Sequence, residues 1–213
     1  MKLSGILAHP GLYELSQLCS RGTKYAGMFF ADYVRPINGQ RILEIGCGTG
    51  LIYKYLRECY PKSHFEYVGF DMSRVYVDFA KKRYGHAAEF HCRKVTREGL
   101  SDLGKFDTVI SAGVVHHLSD EESLGLLATA KSGLKEGGRF IALEPCYKEP
   151  QSSFVRWLLD NDRGKYVRWQ QEYSELAQQV FSHVTTEIRE DMWLIPFTNV
   201  VLVASMNAIS PGR

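Results

Sequence analysis

Neither sign of charge dominates this chain. Lys and Arg total 26 against 24 Asp and Glu, and the basic residues are scattered, so the electrostatic footprint of a nucleic-acid partner is missing and none is expected. Paired cysteines are missing too. The five, Cys19, Cys47, Cys59, Cys92 and Cys146, are odd in number, far apart and never spaced Cys-x-x-Cys. That pattern excludes a zinc clamp or a cycling disulfide and leaves reduced, mostly buried thiols. Long hydrophobic runs are absent as well: "MKLSGILAHPGLYEL" holds one Lys and a very short apolar stretch before His9 and Pro10, far below a signal peptide or a membrane span. A cytoplasmic protein without a membrane span is the expectation. Repeats, linkers and low-complexity tracts do not occur. The 213 residues, 45% hydrophobic and 23% charged, predict one folded domain over residues 1–213.

What is present is an alternation of short β-type runs and amphipathic stretches. Residues from Gly11 to about Val34 read as two helices, with Leu12, Leu15 and Leu18 on one face and then Tyr25, Met28, Phe29 and Tyr33 on another. "RILEI", "FEYVGF", "AEFHC", "FDTVISAG" and "RFIALE" read as five strands, the last stopped by Pro145. Helices are predicted between them. Ser73 is placed to cap one, and Ser119 with Glu122 has capping-box spacing before another that Gly137 and Gly138 end. Such alternation predicts right-handed crossovers onto a parallel sheet, a doubly wound α/β fold. After Pro145 two helical stretches precede "VTTEIRE" and "FTNVVLVASM", which lie too close for a crossover and should pair as an antiparallel hairpin. The divisions follow: 1–39 an N-terminal helical lid, 40–145 a ligand-binding core, 146–182 acceptor-site helices and 183–206 the closing hairpin.

The bend "LEIGCGTG" after the first strand sits where open α/β sheets bind ligands. Glycines allow a tight turn and direct approach to the backbone, and the following helix offers unpaired N–H groups to an anion. The spacing is Gly-x-Gly-x-Gly, and Glu44 precedes it; an acid there would repel a pyrophosphate but could pair with an ammonium. Asp71, about 20 residues further on at the end of the second strand, is where a carboxylate accepts hydrogen bonds from ribose hydroxyls. A nucleoside with an amino-acid end, such as S-adenosylmethionine, meets these demands. An ordinary tight turn or a dinucleotide site are the alternatives, and the two acids and the late hairpin fit them poorly.

With these residues in place the chain resembles the class I S-adenosylmethionine-dependent methyltransferases. The likeness covers "ILEIGCGTG", "VGFDMS", "FDTVISAGVVHHL", "LKEGGRFIALEP" and the terminal hairpin, in order. It implies a Rossmann-like seven-stranded sheet of order 3-2-1-4-5-7-6 with strand seven antiparallel. It further implies that Gly46, Cys47 and Gly48 approach the methionine part, with Glu44 near its amino group. Asp71 would hold the ribose, Met72 would flank the adenine, and Ala112 and Gly113 would pass beneath the sulfonium. Relatives often place an acid near the adenine amino group where this chain has Lys94, so that contact is assigned to the backbone at Val95.

Methyl transfer from a sulfonium needs alignment above all, and a base only if the acceptor arrives protonated. His116 and His117 follow the fourth strand and can titrate near neutrality. Either could be the base; either could equally hydrogen-bond a loop. Glu144 and Tyr13 are further candidates, with structural and lid roles as their alternatives. Acceptor identity should lie outside the shared sheet: in Tyr13, and in Tyr147, Trp157, Arg163, Tyr166 and Arg168 of the 146–182 segment, where aromatics mix with arginines. These suit a small ring-bearing acceptor with an anionic or hydroxyl group, although Trp157 could be core and Arg163 and Arg168 paired with nearby acids. The strand-four sequence lacks the Asn/Asp-Pro-Pro-Tyr run of relatives that act on nucleic-acid bases or glutamine. Ser111 and Ala112 occupy the place of an acidic metal ligand, so no metal is expected. The expectation is S-adenosylmethionine-dependent methylation of a small molecule at oxygen, giving S-adenosylhomocysteine. The rivals are a non-methylating reaction on the same fold and a non-catalytic partner.

Overall fold

Ile42 and Leu43, Val109 and Ile110, and Phe140 and Ile141 are all buried, yet each adjacent pair divides between two separate apolar clusters. The period-two alternation of strands, with both faces covered, produces that division. The structure, a computed structural model, describes residues 30–192 and 197–207. Its strands are β1 (Arg41–Ile45), β2 (Glu66–Asp71), β3 (Glu89–Cys92), β4 (Phe106–Ala112), β5 (Leu134–Tyr147), the two-residue β6 (Arg168–Trp169), β7 (His183–Arg189) and β8 (Asn199–Ser205). Its helices are α1 (Leu51–Cys59), α2 (Arg74–Tyr84), α3 (Arg97–Ser101), α4 (Asp120–Gly133), α5 (Ser153–Asp160) and α6 (Gln170–Gln178), with a 3-10 turn at Val115–His117.

The sheet order is β3-β2-β1-β4-β5-β8-β7, with β6 attached to β5. Strands β1 to β5 run parallel, and β8 is antiparallel to both β5 and β7. This is the expected seven-strand order; the small β6 only raises the numbers of the closing hairpin by one. The chain runs outward from β1 to β3 and then returns to β4 on the other side of β1, so the carboxyl ends of β1 and β4 flank a topological switch point. One face of the sheet packs on Leu127 and Ala130 of α4 and Leu176 and Ala177 of α6. The other packs on Leu56 of α1, Val77 and Ala80 of α2, and on Phe30, Ala31 and Val34, which lie in a helical stretch over 30–34.

Local signals placed most boundaries. Ser73 caps α2 by accepting from the Tyr76 N–H, and Ser119 and Glu122 form the reciprocal capping box of α4. Two boundaries differ from expectation. Helix α4 ends at Gly133, because Leu134 is already paired with Phe106 in the sheet, so Gly137 and Gly138 lie within β5. Pro145 does not end β5: its carbonyl accepts from the Tyr173 hydroxyl at 3.0 Å, and the next residue rejoins the ladder through Cys146 N–H to Thr198 O at 3.0 Å. The short α3, capped by Thr96, was not foreseen. The expected N-terminal lid up to residue 29, Tyr13 included, lies outside the described residues. Among the described residues no helix is long and apolar enough to cross a membrane, and no disulfide joins the four described cysteines.

Phe140, fully buried at the middle of β5, stacks on Phe181 with ring centroids 6.0 Å apart. Phe140→Ala should therefore lower unfolding free energy by about 3–5 kcal/mol. Urea denaturation followed by circular dichroism measures this, and an unchanged midpoint would show that the two layers do not depend on that contact.

Candidate active site

At the carboxyl end of β1 the chain bends through glycines in the left-handed region: φ is 81° at Gly46 and 51° at Gly48. A Cβ on Gly46 would stand 2.3 Å from Val114 Cγ2, so this residue is pressed against the turn after β4. A Cβ on Gly48 would meet nothing within 4 Å, so that backbone fronts open space. The Gly46 and Cys47 N–H groups donate to Phe70 O at 2.7 and 2.9 Å, and the Gly48 N–H donates to Asp71 Oδ2 at 2.9 Å. These three donors hold the bend itself. An anionic group arriving there is left to the N-terminus of α1, which no side chain caps.

Asp71 joins two turns, since its other oxygen accepts the Ser73 N–H at 2.7 Å. Each carboxylate oxygen keeps a second lone pair for a hydroxyl donor. Glu44, on β1, is buried beside the Tyr67 hydroxyl, which donates to its Oε2. Burial, and then the nearby Asp71 charge, hold Glu44 well above the usual carboxylate range. The Cys47 thiol is likewise held high by burial, so it is a packed thiol and not a nucleophile. The open space over Gly48, the uncapped helix start, an acid suited to an ammonium and a carboxylate with spare lone pairs together fit S-adenosylmethionine. Met72 is 74% exposed beside this bend, Val95 is buried, Ala112 is half-buried, and Gly113 is exposed at the end of β4.

The turn after β4 is organised by Glu144, near the end of β5. Its Oε1 accepts the N–H groups of Val114 and Val115 at 3.1 and 3.0 Å. Its Oε2 accepts the His116 N–H at 3.3 Å and stands 2.6 Å from His116 Nδ1. His116 Nε2 lies 3.3 Å from Asp162 Oδ1, so both ring nitrogens face carboxylates. Burial alone would disfavour the imidazolium, but hydrogen bonds to Asp162 and Glu144 outweigh it and push the His116 pKa up to about 9. A ring so engaged has no lone pair to offer an acceptor at neutral pH. His117 is the opposite case: it is exposed, and its ring lies 4.0 Å from that of His116. Despite that exposure, partial desolvation of the ring beside the protein surface, and then the His116 charge, hold it below the usual histidine range, so it is neutral near pH 7.

The residues expected to meet an acceptor divide. Arg168 is 6% exposed, and its five N–H donors are all matched. Nε and Nη2 reach Asp120 Oδ1, Nη2 also reaches Leu118 O, and Nη1 reaches Val115 O and Tyr166 O. That expectation is corrected: Arg168 staples β6 to the turn after β4. The Tyr147 hydroxyl donates to Asp160 at 2.8 Å, and Arg156 lies 4.5 Å over its ring. Trp157, 59% exposed, stacks on Phe154, and Tyr166 and Arg163 are also exposed. Asp162 is the site residue that sequence reading passed over except as a partner for arginine. Nothing local marks it, because its contacts with His116 span 46 positions of chain. Among the described residues no group of three or more His, Cys, Asp or Glu could hold a metal ion.

The family model described as "Methyltransferase domain" matches residues 42–138. Over 202 residues the chain is 26% identical to phosphoethanolamine N-methyltransferase 1 of Arabidopsis thaliana, covering 91% of this chain and 39% of that protein. Over 118 residues it is 38% identical to the ubiquinone biosynthesis O-methyltransferase of Mesorhizobium japonicum, covering 51% of this chain and 42% of that protein. The chain thus spans about two fifths of the length of these curated relatives. Among solved structures, the S-adenosylmethionine-dependent methyltransferase SibL in its apo form superposes with a TM-score of 0.70 at 19% identity, covering 96% of this chain and 62% of that one. That likeness is one of fold.

An ammonium placed beside Glu44 would favour its ionised form. Binding of S-adenosylhomocysteine should then release a proton, and affinity should rise with pH until Glu44 is ionised in the free protein. Titration calorimetry in two buffers of different ionisation enthalpy measures the release. Glu44→Gln should abolish it, and a buffer-independent heat in the unaltered protein would remove Glu44 from this role.

Proposed function

We propose, from the match of residues 42–138 to the methyltransferase-domain model and the geometry of the site, that the chain is a class I S-adenosylmethionine-dependent methyltransferase that methylates a small molecule at oxygen, with His117 as the general base. The cofactor supplies an electrophilic methyl group on a sulfonium. Of the chain's own residues, Glu44 takes the ammonium, the start of α1 the carboxylate and Asp71 the ribose hydroxyls. Met72 and Val95 flank the adenine, and Gly46, Cys47, Gly48, Ala112 and Gly113 line the methionine and sulfonium end. The remaining tasks are to bring the acceptor oxygen to that end and to receive its proton.

One observation carries the assignment: of two adjacent histidines, His116 has both nitrogens committed to carboxylates, whereas His117 is exposed, neutral and has no ring-nitrogen hydrogen bond drawn among the described residues. A neutral imidazole beside the crevice can accept a hydroxyl proton, and a clamped imidazolium cannot. Tyr147, Trp157, Arg163 and Tyr166 offer the ring-bearing and cationic surfaces for the acceptor. The relative named for O-methylation agrees with oxygen. A nitrogen acceptor is the second reading, favoured by the match over 91% of the chain to a protein named for N-methylation.

The deciding experiment incubates the protein with S-adenosylmethionine and either phenols and catechols or phosphorylated amino alcohols, with products identified by mass spectrometry. A methylated hydroxyl upholds the proposal and a methylated amine moves it to nitrogen. Cofactor binding without any methylated product would favour a non-methylating role. With an acceptor in hand, His117→Ala should lower kcat by about 10²- to 10⁴-fold and leave S-adenosylhomocysteine affinity unchanged. Because a base works only when deprotonated, kcat should fall as pH falls, on a limb lying below the usual histidine range. An unchanged kcat in the variant removes His117 from the chemistry.

A further inference from the structure

The turn between α5 and β6, residues 161–167, reaches back to the turn after β4 through contacts that neither element needs for its own fold. Asp162 Oδ1 stands 3.3 Å from His116 Nε2, and the Tyr166 N–H donates to His116 O at 2.9 Å. The Gly164 N–H donates to Asp162 Oδ1 at 2.7 Å, aiming that carboxylate. Gly164 itself admits no side chain: a Cβ there would fall 1.9 Å from His116 Cδ2 and 2.7 Å from His116 O. The opposite side of the same ring is taken by Glu144, with Nδ1 and Oε2 2.6 Å apart. At its far end the turn is fixed again, where Arg168 binds Val115 O and Leu118 O.

We propose that Asp162 is a positioning residue, which latches the acceptor segment to the turn carrying His117 by gripping His116 from the side opposite Glu144. The proposal rests on the reading of His117 as the base, because the latch fixes where Tyr166 and Arg163 stand relative to it. A neutral imidazole donates through one nitrogen only, so it could satisfy one of the two carboxylates and would turn a lone pair on the other. The protonated ring satisfies both. Burial opposes that form, yet the Asp162 and Glu144 hydrogen bonds prevail and push His116 up to about 9. Asp162 is correspondingly held low: burial works against its ionisation, and the His116 and Gly164 hydrogen bonds overcome that.

The charged and titratable groups facing His116 and its ring neighbour are Glu144 from β5, Asp162 and Arg163 from the α5–β6 turn, and His117. Tyr173 of α6 lies in the field of Glu144 and, held high by burial, stays neutral. A group whose pKa is raised on folding stabilises the fold fully below its unfolded value, near 6.5, and loses that contribution as pH rises through the folded value. The latch therefore holds at neutral pH and is released through about pH 9. The same proton on His116 helps to keep His117 neutral, so one clamp sets both the position of the acceptor segment and the state of the base.

The test uses the full chain with S-adenosylhomocysteine, nitrogen NMR of the imidazoles, and hydrogen exchange expressed as protection factors for the Gly164 and Tyr166 amides. In the unaltered protein both His116 nitrogens should carry protons at neutral pH, and both amides should lose protection as pH rises through about 9. Asp162→Asn should lower the His116 midpoint and reduce both protection factors by about tenfold or more. Gly164→Ala should unlatch the turn sterically, with the same loss of protection while both carboxylates remain. An unmoved His116 midpoint in Asp162→Asn overturns the proposal, as does protection that persists in both variants. If Asp162→Asn fails to fold, the pH series on the unaltered protein and Gly164→Ala decide alone. Failure of the unaltered protein to bind S-adenosylhomocysteine would overturn the functional reading instead, with the latch still measurable.

Discussion

A buried carboxylate, Glu144, sets the geometry on which the rest of the site depends. It is 1% exposed and accepts three consecutive backbone N–H groups and an imidazole nitrogen. Without it those donors would face the interior unpaired, at about 1–3 kcal/mol each, so the turn after β4 has one favourable path while Glu144 is in place. The position of Glu144 follows from register: Leu143 pairs with Ala112 on one side, and Glu144 with Val200 on the other. Strand pairing thus places the acid, the acid shapes the turn, and the turn presents His117. Asp71 repeats the device at the end of β2, where it joins the glycine bend to the start of α2.

Burial and neighbours then give like residues unlike states. His116 and His117 are adjacent in sequence, yet one is held protonated by two carboxylates and the other, at the surface, is kept neutral by partial desolvation and by its charged neighbour. Pairs pushed apart in this way are how a site separates a fixed charge from a working base. Burial shifts an acid of the site as well. Glu44, buried beside the Tyr67 hydroxyl, is held well above the usual carboxylate range by burial and by the Asp71 charge.

The parts legible in sequence were those that local chemistry specifies. The strand–bend–helix at Arg41–Cys59, the Ser73 cap, the Ser119 capping box and Asp71 at a strand end are each set by residues a few positions apart. The sheet order was implied by the family resemblance that these units carry, and the strand pairing agrees with it. What was not legible depends on partners far along the chain. Leu134 reads as the tail of a helix until Phe106 pairs with it, and Arg168 reads as ligand-facing until two distant carbonyls and Asp120 take its donors. The different surroundings of His116 and His117 are invisible locally for the same reason, since Glu144 and Asp162 set them.

The segment after β5 also inverts the usual sorting of residues between surface and interior. Its arginine at 168 is nearly inaccessible, while Phe154 and Trp157 of α5 stack on each other in the open. Long charged side chains normally stay in water and aromatic rings normally leave it. The inversion is stable because the buried charge makes five hydrogen bonds to four acceptor atoms, so its desolvation is compensated, and the apolar residues Val155 and Leu159 hold α5 to the body from its other face. Charged groups therefore attach this segment while Phe154 and Trp157 stay exposed. On the proposed function, a change of acceptor would require altering only those rings, while Arg168, Asp162 and His116 keep the acceptor end in register with the base.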